Sequence, residues 1–391
     1  MLAIPIGDAF EINPKVSIKR GAEVPFISMD RLEPGRRDVD AVETRSYSSG
    51  SKFKPGDTLM ARITPCLENG KIARYLPKGE TKPAAGSTEF MVLRGRPGIT
   101  HTEFAYYFAI DPTIHNLAVT LMTGTSGRQR VDVRAFSETE VRIPSLEAQR
   151  AISSILGALD AKIAANIEAV RTIDRLRNAL WQRNLKDGAT AAPLSSLASF
   201  VNGGAFTKNA TGTGRVVVRI SEMNNGIGNN TVRNELEVPE TKVVRPGELL
   251  FSWSGTLMTK RWPYDEAIVN QHIFKVIPDH GFPLAFLDCA IEQQLNFFRM
   301  IATGKATTMG HIKRSDLDAK AQIPTQFHEE DLRLAESLWA NASALEKENI
   351  TLGKTRDELL PLLMSGKITV KEASQEAAAA GARVPSEENE V

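Results

Sequence analysis

Apolar residues recur through 145–187 at Ile152, Leu156, Leu159, Ile163, Ile167, Val170, Ile173, Leu176 and Leu180. Their steps of three and four follow a helical turn rather than a strand's alternation, so the spacing predicts one long helix. Ser145 stands where a cap is needed, Glu147 at the positive end of the dipole, and Gly188 where the helix should stop. At 1.5 Å per residue the rod would be roughly 50–60 Å long. A second stripe runs Leu338, Ala342, Leu345, Asn349, Leu352, Arg356, Leu359 and Leu363. It alternates steps of four and three, close to a coiled-coil repeat that polar Asn349 and Arg356 interrupt. Pro361 predicts a kink or a frayed end.

The punctuation ahead of the rods is duplicated. Ile143-Pro144 and Ile323-Pro324 lie 180 residues apart, as do Thr123-Gly124 and Thr303-Gly304. Between these marks the apolar runs are short. Strands are expected at 25–29, 58–63 and 90–94, with turns at Lys54-Pro55-Gly56-Asp57 and Asn69-Gly70 and a helix at 102–109. The second half repeats the order: a strand at 216–223, the turn and strand Arg245-Pro246-Gly247-Glu248-Leu249-Leu250-Phe251, a strand at 273–276 and a helix at 282–301. The pattern predicts an α/β (α+β) fold. Two similar globular domains are joined and separated by two long antiparallel coiled-coil helices, with an internal pseudo-two-fold repeat. The expected segments are 1–144 and 189–324 (domains), 145–188 and 325–367 (rods), and 368–391, an Ala/Glu/Ser-rich tail expected to be disordered. Antiparallel rods would bring Gly157 near Gly353, where missing side chains permit close approach.

Composition narrows the classes. A length of 391 residues with 42% hydrophobic content supports two or more domains with real cores. No apolar run reaches the ~18 residues of a membrane span, and the start Met1-Leu2-Ala3-Ile4-Pro5 does not read as a signal peptide. Two cysteines, Cys66 and Cys289, in different halves make neither a disulfide framework nor a metal cluster, so a cytoplasmic protein is expected. Charge is near neutral overall but uneven: net +3 over 1–145, +2 over 189–325 and −6 over 326–391. That permits a nucleic-acid face on the globular parts.

Catalytic motifs are missing from the sequence. Asn13-Pro14-Lys15 is not the Asn-Pro-Pro-aromatic motif of an amino-methyltransferase. Gly304-Lys305-Ala306 is not a phosphate loop, because Arg299 stands where the first glycine belongs. His328-Glu329 lacks the second histidine of a zinc-protease helix. Six scattered histidines form no ligand set.

Three stretches carry a specific likeness: the run Lys54-Pro55-Gly56-Asp57-Thr58-Leu59-Met60-Ala61-Arg62-Ile63-Thr64-Pro65-Cys66-Leu67-Glu68-Asn69-Gly70-Lys71, the segment from Ile143-Pro144 through Gln149-Arg150-Ala151-Ile152, and the ending Leu359-Leu360-Pro361-Leu362-Leu363-Met364-Ser365-Gly366-Lys367-Ile368. In order and over about residues 5–368, the chain resembles the specificity (S) subunits of Type I restriction–modification systems. The resemblance implies that each globular domain is a target recognition domain reading one half of a bipartite double-stranded DNA sequence. It implies that the rods set the spacer and dock two methyltransferase (M) subunits, which restriction (R) subunits join. It implies no catalysis and no cofactor in this chain, with S-adenosylmethionine, ATP and Mg belonging to partner subunits, and no membrane. Ser252-Trp253-Ser254 departs from Ile63-Thr64-Pro65, and Glu329-Glu330-Asp331 from the family's usual Glu-Gln pair, so the two half-sites should differ.

Arginine can donate twice to guanine in the major groove. The DNA-binding candidates are therefore the loop residues Arg128, Arg130 and Arg134; Arg62, Lys71 and Arg74 around the Asn69-Gly70 turn; Arg36 and Arg37; Lys260 and Arg261; and Lys305, Thr307, Thr308, His311, Lys313 and Arg314 in the second half's equivalent loop. Trp253 and Trp262 are expected in the core, as is Cys66. Two other readings compete: a coiled-coil scaffold or adaptor whose globular domains bind proteins, which predicts no discrimination among DNA sequences, and a stand-alone enzyme, which predicts cofactor binding by the isolated chain.

Overall fold

The computed structural model describes residues 1–125, 127–279, 281–304 and 310–384. They divide into two compact units, 1–164 with 351–391, and 165–350. Both long helices are present, Leu146–Asp187 and Glu329–Ser365, and each contributes one part to each unit.

In the first unit Leu2–Pro5 pairs antiparallel with Glu140–Ile143, which ties the start of the domain to the strand that precedes the long helix. The main sheet orders Phe10–Ile12, Phe90–Gly95, Thr58–Ala61, Ile72–Tyr75 and Asp38–Val39. A second sheet orders Glu43–Ser46, Glu23–Ile27, Ala84–Gly86 and Ser51–Phe53, its central pair parallel. The helix Phe104–Ile110 is buried at every position from Phe104 to Ala109. A helix apolar all round must be covered on every side, and this one packs with the sheet residues and with Ile152, Ile155, Leu156 and Leu159 in one core.

The start of the long helix is pinned as the residues suggest. The Ser145 hydroxyl accepts from the Ala148 amide at 3.3 Å. Gln149 is fully buried; its side chain accepts from the His101 amide and donates to the Ile99 and Pro144 carbonyls. A buried amide with its bonds filled holds an orientation that an apolar side chain would not.

The second unit repeats the plan. Ala189–Pro193 pairs with Lys320–Pro324. The main sheet orders Ala198–Asn202, Ile273–Pro278, Leu249–Ser252 and Met258–Arg261. The second sheet orders Arg233–Asn234, Arg215–Val218, Ala267–Val269 and Val243–Val244, again with a parallel central pair. Helix Leu284–Gly304 covers the core. The duplicated unit expected from the spacing is therefore a duplicated topology.

The helices pair antiparallel inside each unit. In the second, Asn166 donates to Glu348 and Asn349 at 2.7 and 3.0 Å, and Asn184 donates to Asp331 at 2.7 Å. In the first, Arg356 donates to Asp160 at 2.8 Å. The register differs from the expected glycine contact. A Cβ on Gly157 would meet the Arg37 guanidinium at 2.8 Å, whereas one on Gly353 would meet nothing within 4 Å. Buried Asp160 and Arg356 align the helices at their own positions, because an unpaired charge there would cost far more than a poorer glycine fit.

Three smaller expectations are corrected. The strand expected at 216–223 ends at Val218 and gives way to helix Ile220–Asn225, because the Glu222 carboxylate reaches back to the Arg219 amide at 3.0 Å. Pro361 lies inside a helix that continues to Ser365, held there by buried Leu359, Leu360 and Leu363. The expected disordered tail contains helix Val370–Ala379, capped by Thr369 and burying Ala373 and Ala377 in the first unit's core; residues 385–391 lie outside the described residues.

Among the described residues no helix is long and apolar enough to cross a membrane. Cys66 is half-buried and Cys289 buried. Burial pushes the Cys289 thiol up to about 12, with Arg177 pulling the other way. At pH 8 a thiol-specific reagent should therefore modify Cys289 only on unfolding, since the thiolate is the reactive form. Mass spectrometry of the native and denatured protein checks this; equal labelling of Cys289 in both states would count against it.

Candidate nucleic-acid interface

The candidate cations fall into three groups. Arg37, Arg74 and Arg261 are internal ties rather than surface contacts. Strand Ile72–Tyr75 is buried at all four positions, so Arg74 turns inward and meets Asp38 and Glu103, each at 2.7 Å. Arg37 binds Asp38, the Tyr107 hydroxyl and the Gly157 carbonyl. Arg261, 7% exposed, binds Glu346 at 2.8 Å with its guanidinium 4.6 Å from the Trp339 ring centroid. The sequence offered all three as DNA contacts: Arg74 from its place by the Asn69-Gly70 turn, Arg37 from a charged loop and Arg261 from an aromatic-basic run. The acidic partners that draw them inward are remote in sequence, except for Asp38 beside Arg37.

A second group is exposed or half-buried but anchored. Arg36 pairs with Glu33 at 2.9 Å, Lys71 donates to the Met29 carbonyl at 2.9 Å, and Arg134 pairs with Glu138 one helical turn on at 2.8 Å. His311 is half-buried, its ring 6.3 Å from that of Trp253. Arg128, Lys313 and Arg314 form the third group, exposed, and Lys260 is half-buried. Lys305, Thr307 and Thr308 lie outside the described residues.

Two of the first-half candidates converge. The segment 129–131 runs back along the end of strand Thr58–Ala61, and Ile63 forms a bridge with Arg130. Arg62 reaches Glu89 at 3.3 Å, and Arg130 grips the same carboxylate with two nitrogens at 2.7–3.0 Å. These bonds, that from Arg130 first, hold the Glu89 carboxyl below the usual carboxylate range. Arg62 also lines an open cleft of about 620 Å³ with Asn13, Lys15, Lys52, Thr88 and Phe90. Three cations, Arg62, Lys15 and Lys52, line this cleft, and a cluster of cations suits an anionic polymer.

The corresponding place in the second unit is built differently. The Trp253 ring centroid lies 5.3 Å from that of His272 and 6.3 Å from that of His311, and its indole N–H donates to the Asn202 side chain at 3.0 Å. Trp262 is fully buried as expected, but Trp253 is only half-buried. The sequence reading missed Glu89, His272, Lys15 and Lys52. A signal existed: Glu89 and His272 each immediately precede one of the two matched strands, Phe90–Gly95 and Ile273–Pro278.

Residues 5–172 match the family described as the Type I restriction modification DNA specificity domain. Over 149 residues the chain is 29% identical to the Type I restriction enzyme EcoAI specificity subunit of Escherichia coli, covering 36% of this chain and 25% of that protein. Over 147 residues it is 26% identical to the EcoEI specificity subunit of the same organism, covering 36% and 24%. The chain thus spans about a quarter of the length of the curated relatives it matches. A crystal structure of the Type-I restriction-modification system S subunit from M. genitalium aligns over 93% of this chain and 96% of its own, with a TM-score of 0.54 at 13% identity. That is a likeness of fold.

Proposed function

We propose, for a chain whose residues 5–172 match the Type I restriction modification DNA specificity domain, that it is the non-catalytic sequence-reading subunit of such a complex. Each globular domain reads one half of a bipartite double-stranded DNA target. The two long helices set the unread spacer and dock two methyltransferase subunits, which restriction subunits join. S-adenosylmethionine, ATP and magnesium belong to those partners, and the assembly works in the cytoplasm. The observation that carries this reading is the family match over the first domain and the first part of the central helix. Duplication of that domain's topology supports a second reader in the same chain.

Two readers on a spacer lead to a specific result. The full chain, co-expressed with the methyltransferase subunit of its own genome, should impose adenine methylation at a split motif, two short blocks separated by a fixed run of unread bases. Binding of the complex to that duplex should weaken by ~1–3 kcal/mol for each wrong pair in either block, and should fall as salt rises. A soluble complex that binds all duplexes alike and leaves no methylated motif would overturn the reading in favour of a protein-binding scaffold.

A further inference from the structure

One backbone arrangement occurs in both units with its side chains exchanged. In the first unit the Arg62 amide donates to the Glu89 carbonyl at 3.0 Å, the Val131 amide donates to the Arg62 carbonyl at 2.9 Å, and Ile63 bridges Arg130. In the second the Trp253 amide donates to the His272 carbonyl at 3.2 Å, the Ile312 amide donates to the Trp253 carbonyl at 3.0 Å, and Ser254 bridges His311. The three positions correspond one to one: Arg62 with Trp253, Glu89 with His272, Arg130 with His311.

The shared backbone hydrogen bonds do not depend on either set of side chains. The same hydrogen-bonded frame stands with an ion-paired trio in one unit and an aromatic–imidazole trio in the other. Partly exposed ion pairs of this kind contribute at most ~1 kcal/mol to stability. Positions that the framework holds constant while their chemistry changes completely, on partly exposed ground, are where two related readers would differ.

We propose that this three-position frame sets the base preference of each domain, an inference that rests on the DNA-reading function above. In the first domain Arg62 and Arg130, oriented by Glu89, take a G·C pair: a guanidinium donates to guanine O6 and N7, and the carboxylate accepts from the cytosine amino group. In the second domain the trio Trp253, His272 and His311 itself contributes no carboxylate or guanidinium. It takes an A·T pair, its aromatic face against the thymine methyl. The two half-sites differ because the frames differ.

The test uses the full chain assembled with its methyltransferase subunits, and sequences recovered from a randomised duplex library by binding. The wild-type complex should enrich a split motif. Arg130→Gln and Glu89→Gln should relax the preference for a G·C pair in one block roughly ten-fold or more, leaving the other block intact. Arg130 is exposed, so its replacement leaves the core untouched. Trp253→Leu should relax an A·T pair in the other block only; because Trp253 also packs against Phe274, His311→Asn is the second variant, with the same outcome expected. A wild-type split motif that survives these changes, or variants that weaken all sequences equally, would overturn the inference alone. A wild-type complex that enriches no split motif overturns the DNA-reading function and the inference with it.

Discussion

Replacing Asp160 with alanine should lower the stability of the first unit by about 3–5 kcal/mol, a large fraction of the ~5–15 kcal/mol typical of a folded domain. Asp160 is 5% exposed and accepts from the Arg356 guanidinium at 2.8 Å and the Tyr107 hydroxyl at 2.7 Å. Arg356 is 6% exposed and donates as well to the Gly35 carbonyl. Burial alone would pull the Arg356 guanidinium down, but Asp160 raises it, so the charge survives in the interior because its partner is there. Removing the carboxylate leaves the buried Arg356 with only the largely exposed Asp357 as an ion-pair partner and deprives the Tyr107 hydroxyl of its acceptor. The loss should be largely reversed in Asp160→Leu combined with Arg356→Met, since a buried pair exchanged for apolar groups of similar size is often neutral or stabilising. Denaturant unfolding of Asp160→Leu, Arg356→Met and the double variant measures the coupling. Single losses that simply add would show that the pair does not act as a unit.

Arg177→Met should destabilise the second unit by a comparable amount, about 3–5 kcal/mol at neutral pH. The Arg177 guanidinium is 2% exposed. It donates to Asp288 at 2.6 Å and the Ala285 carbonyl at 2.6 Å, and lies 5.2 Å from the Trp339 ring centroid. Without it the buried Asp288 carboxylate has lost its cation. Glu292 responds to the same cation: although its side chain reaches solvent, desolvation of its carboxyl and then Asp288 hold it above the usual range, with Arg177 pulling it down. Losing Arg177 raises that carboxyl further in the folded state. A group whose folded pKa is raised favours folding below its unfolded pKa and loses that advantage as pH rises toward the folded value. The variant's deficit should therefore shrink as pH falls from 8 toward 5, read as converging unfolding midpoints of variant and wild type. A deficit that is constant across that range would assign the effect to lost packing on Trp339.

The sequence by itself determined both rods, several of the core strands, the duplication and the family likeness. Each is written in local periodicity: steps of three and four for Leu146–Asp187 and Glu329–Ser365, short apolar runs for the strands, and a constant offset for the repeat. Of the candidate interface, Arg62, Arg128, Arg130, Lys260, Lys313 and Arg314 were legible as exposed or half-buried cations. Arg37, Arg74 and Arg261 were not legible as internal ties, nor Glu89 as the carboxylate joining two arginines. Only the tertiary structure decided those points and the helix register. Asn349 and Arg356 read as interruptions of a coiled-coil stripe, yet they are the residues that pair with Asn166 and Asp160 and align the helices. The reason is physical. Periodicity reports which face of an element is apolar, but the burial of a charge or amide depends on a specific partner, and Arg356 finds its partner 196 residues away.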